Sequence, residues 1–160
     1  SGGNVGIGTT SPGAKLDVNG DIIADGVYLG GTVAANYLED YEEGTWTPVF
    51  TDGNGGSSIV SSSAFNRAHY VKIGQHVFVT FRMNTSSASS NAVYLTGLPF
   101  ARATATVFYM TGVAMVHGSD LASWYVEETL TSARKYDGSV LTCADASGIF
   151  RGSFSYLTDD

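Results

Sequence analysis

The stretch GNVGIGTTSPGAKLDVNGDI, residues 3–22, decides how the rest of the chain is read. It is too rich in glycine for a helix and too thin to hold a core. Its apolar residues fall in spaced pairs, Val5 with Ile7 and Leu16 with Val18, and Val27 with Leu29 follows just beyond. A spacing of two puts both members of a pair on one side of a short strand. The Gly, Pro, Ser, Asn and Asp between the pairs are turn formers. One chain of this kind cannot bury two-residue apolar faces, whereas several copies wound about a shared axis can. Val5, Ile7, Leu16, Val18, Ile22, Val27 and Leu29 are therefore expected to line the seam of an oligomeric stalk over residues 1–33. Asp17, Asn19 and Asp21 have the spacing of half a calcium loop. Ile22 stands where that loop needs glycine and the late glutamate is missing, so the three read as polar turn residues.

Composition narrows the class. The 160 residues suffice for one domain of ordinary size. Sparse charge, 20 glycines and many aromatic and hydroxyl residues indicate an all-β protein with many turns. Eight basic against 15 acidic residues give a formal net charge of −7, which lacks the electrostatic footprint of a nucleic-acid binder and disfavours an anionic membrane surface. No apolar run reaches the roughly 20 residues of a membrane span, and no signal peptide is visible. Cys143 is the sole cysteine, so no intrachain disulfide framework is expected. Ser1 and Gly2 read as an added remnant, with the natural chain expected to extend further at its N-terminus.

Residues 34–44 form the best helix candidate. Ala34, Leu38 and Tyr41 share a helical face, Glu39, Asp40, Glu42 and Glu43 point to solvent, and Gly44 ends the segment. This helix is expected to be a collar between stalk and head. A strand begins at TWTPVF, 45–50, where Pro48 keeps it from being central throughout. The clearest strand is 75–84, with Val77, Val79, Phe81 and Met83 on one face and His76, Phe78, Thr80 and Arg82 on the other. Residues 64–73 pair with it through a turn at Gly74–Gln75. A serine-rich loop covers 85–91. Further strands are expected at 92–96, 106–110 and 113–116 with a break near Gly112, then 122–130, 140–143 and 149–157. In the last, Phe150, Phe154 and Tyr156 share a face with Gly152. Short strands at this spacing indicate a β-sandwich or jelly-roll-like head over residues 45–160.

Residues Val5 to Thr10, Pro12, Lys15, Leu16, Val18, Gly20 and Ile22 closely resemble the VGIGTT-type stalk motif of phage tail-fibre and tailspike ends. The next stretch, YLEDYEEGTWTP at 37–48, looks like the element that leads into their C-terminal β domain, and YVKIG at 70–74 and TGLPF at 96–100 resemble later landmarks of it. Beyond Phe100 the resemblance ends. It implies a homotrimer at the distal end of a virion tail fibre: an intertwined β stalk, attached to an upstream shaft, carrying β-sandwich heads that meet a host-surface glycan or protein receptor. The acidic charge balance and the lack of a long apolar run, for their part, leave no nucleic-acid partner and no membrane insertion to be expected. In many relatives a similar stalk leads into a self-cleaving chaperone with a Ser–Lys pair and long helices. Nothing after Leu130 reads as such helices, so that module is expected to be absent.

Enzymatic chemistry finds little foothold in the residues. His69, His76 and His117 are far apart, with no HxH or HExxH spacing, and no metal or cofactor site is expected. Cys143 reads as a small buried residue. No phosphate-cradling loop or GxSxG elbow occurs. Asp120, Glu127, Glu128, Asp137 and Asp145 are the carboxylates from which a polysaccharide-cleaving pair would come. Tailspike enzymes, however, usually carry that pair on a long β-helix for which this chain is too short. A sugar receptor wants aromatic faces and neighbouring polar groups. Tyr109, His117, Asp120, Tyr125, Glu127, Arg134 and Tyr136 supply them, with Trp124 expected in the core and Tyr125 and Glu127 outside. The sequence thus reads as a trimeric, non-enzymatic receptor-binding tip. The alternatives are a purely structural trimerisation and capping module, then a polysaccharide depolymerase.

Overall fold

The computed structural model describes residues 3–53, 55–103 and 139–159, together with the backbone of 111–116, 121–126 and 131–135. The protein is all-β and divides into two compact units, Ser1–Glu39 and Asp40–Asp160.

In the first unit, β1 (Val5–Ile7) and β2 (Leu16–Val18) pair in parallel, with Val5 opposite Leu16 and Ile7 opposite Val18. Backbone bonds from Val5 N–H to Lys15 O (2.9 Å) and Asn19 N–H to Ile7 O (2.8 Å) extend the ladder at both ends. β3 (Val27–Tyr28) and β4 (Tyr37–Leu38) form a small antiparallel pair. The Tyr28 and Tyr37 rings lie 4.7 Å apart, and the Tyr37 ring sits where a side chain at Gly26 would go. No described residue of this unit is buried.

The expected helix over 34–44 is corrected. Ala34–Asn36 makes one 3-10 turn, and the rest joins strands on either side. Under three turns of helix are marginal in isolation. As extended chain, Tyr37–Leu38 instead completes the ladder with β3, and β5 (Tyr41–Thr45) completes one in the second unit. The acidic residues gain partners there: Glu42 accepts from the Tyr70 hydroxyl, and Asp40 pairs with Lys72.

The second unit continues with β6 (Val49–Asp52), β7 (Arg67–Ile73), β8 (His76–Thr85), β9 (Val93–Thr96), β10 (Thr111–Val116), β11 (Leu121–Val126), β12 (Thr131–Lys135) and β13 (Gly148–Leu157). These and β5 make one antiparallel sheet in the order β5-β7-β8-β13-β10-β11-β12-β9-β6. Its two edge strands, β5 and β6, are joined by only Trp46, Thr47 and Pro48. So short a link spans at most about 14 Å, so the sheet must curl until its edges approach. The ring of Phe50 on β6 accordingly packs 5.0 Å from Phe81 on β8 and 5.2 Å from Phe150 on β13, across the interior. Trp46 closes this end: its backbone N–H donates to Ala68 O and its indole Nε1–H to Thr80 O at 3.3 Å.

The hairpin of β7 and β8 forms as the alternation predicts. Val77, Val79, Phe81 and Met83 are buried, and Gly74 takes the positive φ (54°) that the two-residue turn requires. Phe150, Phe154 and Tyr156 are buried together on β13. Two strand expectations are corrected. β10 begins at Thr111 and includes Gly112, which pairs with Trp124, so the strand starts earlier than Val113. Residues 140–143 form isolated bridges and a turn rather than a strand, with Thr142 bridging to Ala92 and capping its own turn through Asp145. Residues 106–110 lie outside the described residues.

Candidate binding surface

The receptor-facing residues expected from the sequence are reached only in part. Tyr109, His117, Asp120, Glu127 and Tyr136 lie outside the described residues, as do Glu128 and Asp137. Tyr125 and Arg134 are placed by backbone alone: Tyr125 is opposite Ser132 and Arg134 opposite Ser123, on the neighbouring strands β11 and β12. Trp124 is opposite Ala133. The register thus brings Tyr125 and Arg134 to same-parity positions two residues apart.

Among the described residues the stalk candidates are laid open. Val5, Ile7, Leu16, Ile22, Val27 and Leu29 are each between 46% and 67% exposed, and Val18 is half-buried. The Val5–Leu16 and Ile7–Val18 pairs form one small apolar face across β1 and β2. Asp17 and Asn19 are used locally: the Asp17 carboxylate accepts from Gly13 N–H at 2.9 Å, and the Asn19 amide donates to Gly8 O at 3.3 Å. That is the work of polar turn residues. Among the described residues no three His, Cys, Asp or Glu side chains gather where they could hold a metal ion.

In the second unit, Cys143 is fully buried, with its thiol against the carbonyls of Ala92 (3.6 Å) and Thr51 (3.8 Å). Burial pushes the thiol pKa up, and the nearby Asp52 carboxylate adds to the rise, while a backbone bond from Gly53 opposes it. A thiol held protonated in this way packs as a small apolar side chain and is a poor nucleophile. Asp52 in turn ties down the serine-rich loop, accepting from Ser89 Oγ and Asn91 Nδ2, both at 2.9 Å. His69 and His76 lie on the outer face of the hairpin, and His76 stacks on the exposed Phe78.

An open groove of about 440 Å³ lies where the β5–β6 link meets the loop before β7. Trp46, Pro48, Val60 and Met83 supply apolar walls, with Asn66 and Arg67 as polar lining. The loop beside it is closely tied. Ser63 Oγ accepts from Phe65 N–H (3.2 Å), and the Asn66 side chain donates to Ser61 O (2.9 Å) and accepts from Asn84 N–H (2.8 Å). The loop thereby holds Phe65 outward, 67% exposed, with the Arg82 guanidinium 5.4 Å from its ring centre. Phe65, Arg67 and Arg151 belong to no sequence motif that marks them as site residues. The alternation of β8 already puts Arg82 on the outer face, but only strand register reveals its neighbours. The whole arrangement offers aromatic and cationic contact to a ligand.

No protein-family model, curated protein or solved structure matches this chain.

Proposed function

We propose that the chain is the distal part of a phage tail fibre, a homotrimer whose intertwined β stalk presents jelly-roll-like β-sandwich heads to a host-surface glycan. One observation carries the reading. The stalk unit has regularly spaced apolar pairs and no buried residue among those described, whereas the second unit buries a full aromatic core within one chain. A segment with paired apolar residues and no interior is stabilised only by covering them, and identical copies supply matching faces. The resemblance of residues 5–22 and 37–48 to fibre-tip motifs supplies the trimeric stoichiometry and the outward polarity. In this reading the second unit is the adhesive tip, and no catalytic group takes part.

The test is the mass of the intact chain in solution, by sedimentation equilibrium, together with adhesion of labelled protein to a panel of bacterial cells. A trimer that adheres, and loses adhesion on Tyr125→Ala or Tyr136→Ala, is the expected result. A stable monomer overturns the proposal. A trimer that adheres to none of the cells reduces it to a capping module.

A further inference from the structure

We propose that the outer face of β7, β8 and β13 is a binding site for a polyanionic glycan, whose carboxylate or phosphate groups are held by Arg67, Arg82 and Arg151 while a sugar ring stacks on Phe65. The register makes the case. Arg67 lies directly opposite Arg82, and Arg82 lies directly opposite Arg151. Three guanidinium groups therefore stem from one transverse row, two strand spacings or about 10 Å across. The chain has only eight basic residues and a net charge of −7, yet three of the eight stand side by side. Like charges directly opposite one another on a sheet are destabilising. Among the described residues no carboxylate forms an ion pair with any of the three. A row that no described carboxylate relieves becomes favourable once an anion lies across it.

The row is built in advance of a ligand. Arg67 Nη1 donates to the carbonyls of Ala64 and Asn66, both at 2.7 Å, and Arg82 Nη1 donates to Phe65 O at 2.8 Å. Each of these two guanidinium groups is thus anchored through one nitrogen by the tied loop and keeps further N–H donors for a ligand. Anchoring lowers the ordering cost of binding, and the planar donor fork suits carboxylate and phosphate oxygens. Phe65 selects among anions. Its exposed ring offers an apolar face for the C–H side of a sugar, which a bare ion lacks.

This proposal gives the glycan of the tip reading its charge and its place. It is tested by titrating the intact chain with oligogalacturonate, a phosphorylated mannan oligosaccharide, neutral dextran of matched length and duplex DNA. Binding to at least one anionic saccharide is expected, weakening as salt is raised, and the arm that responds names the source of charge. Arg82→Gln and Arg151→Gln should each weaken it by about tenfold or more, and Phe65→Ala should weaken it too. Arg151→Gln breaks none of the loop's hydrogen bonds, so its effect reads the site rather than the fold. Equal binding of dextran, preferred binding of DNA, no binding of either anionic saccharide, or unchanged affinity in Arg151→Gln overturns the site. Cell adhesion that survives Arg82→Gln with Arg151→Gln also overturns it and leaves the tip reading standing. A non-adhering monomer that still binds through the arginines overturns the tip reading alone.

Discussion

Lys72, buried on β7, is paired with Asp40, whose own backbone carbonyl accepts from Gly74 N–H at 2.8 Å. The second unit therefore begins by fastening its first residue to both the side chain and the turn of the β7–β8 hairpin. The Lys72 ammonium also lies 5.3 Å from the centre of the Phe100 ring. Removing one partner of such a pair leaves a buried charge, whereas removing both does not. Asp40→Ala should destabilise the protein by about 1–3 kcal/mol, the lower end reflecting the partial exposure of Asp40. Adding Lys72→Met should recover most of that loss. Chemical denaturation of the two variants checks this, and a double variant less stable than Asp40→Ala would refute it.

Gly97, in the TGLPF segment after β9, has φ of +73°, and a Cβ there would stand 2.8 Å from Thr47 O. Thr47 belongs to the link that carries the chain from one sheet edge to the other. Gly97→Ala should therefore cost about 1–3 kcal/mol from the left-handed backbone together with the clash. The thermal midpoint should fall, and an unchanged midpoint would show that the link yields freely. Gly74→Ala makes a useful comparison, since it also has positive φ but nothing within 4 Å of the added carbon.

How far the sequence discloses this fold depends on where polar residues stand. β8 is legible because buried and outward positions alternate along its ten residues, with Val77, Val79, Phe81 and Met83 inward. β5 (YEEGT) and β12 (TSARK) show no apolar alternation and are strands because neighbours complete their ladders. The same cause produced the mistaken helix: its carboxylates look solvated until Lys72 and Tyr70 arrive from β7. Cys143 was legible as a buried residue though not as part of a turn. The arginine row was not legible, because its members come from three strands far apart in sequence. Register depends on long-range pairing that a local period does not encode.

Tyr156 should govern part of the alkaline stability. It is fully buried, and its hydroxyl donates to Phe100 O and accepts from Phe100 N–H, both at 3.2 Å. Burial pushes its pKa from 10 up to about 12, against a lowering by the Phe100 bond. In the unfolded chain the phenol ionises first, so its contribution is fully present below pH 10 and is lost as pH rises through 12. The loss amounts to about 2–3 kcal/mol. Tyr70 and Tyr41, raised chiefly by hydrogen bonds to Glu42 and Glu43, act in the same direction. Tyr156→Phe should be less stable at neutral pH by about 1 kcal/mol and should lose less as the pH climbs from the ordinary phenol value to the raised one. Parallel alkaline unfolding curves for the two proteins would contradict this.

The stalk gives the most direct test of assembly. Leu16 is opposite Val5 and Val18 opposite Ile7, so an aspartate at either position enters the one apolar face that β1 and β2 share. In a single chain the change should be nearly neutral, because Leu16 is already 58% exposed. In a trimer three carboxylates meet without partners, and each buried charge costs several kcal/mol unless it protonates. Leu16→Asp or Val18→Asp should therefore abolish the trimer or lower its melting temperature sharply. The β signature of the second unit should persist in circular dichroism, since that unit has its own core. Thr10→Asp, outside the paired strands, serves as control and should leave assembly intact. Three unpartnered carboxylates cannot sit in a buried seam at no cost. A trimer whose melting temperature is unchanged by both Leu16→Asp and Val18→Asp would therefore remove the basis for the trimeric stalk.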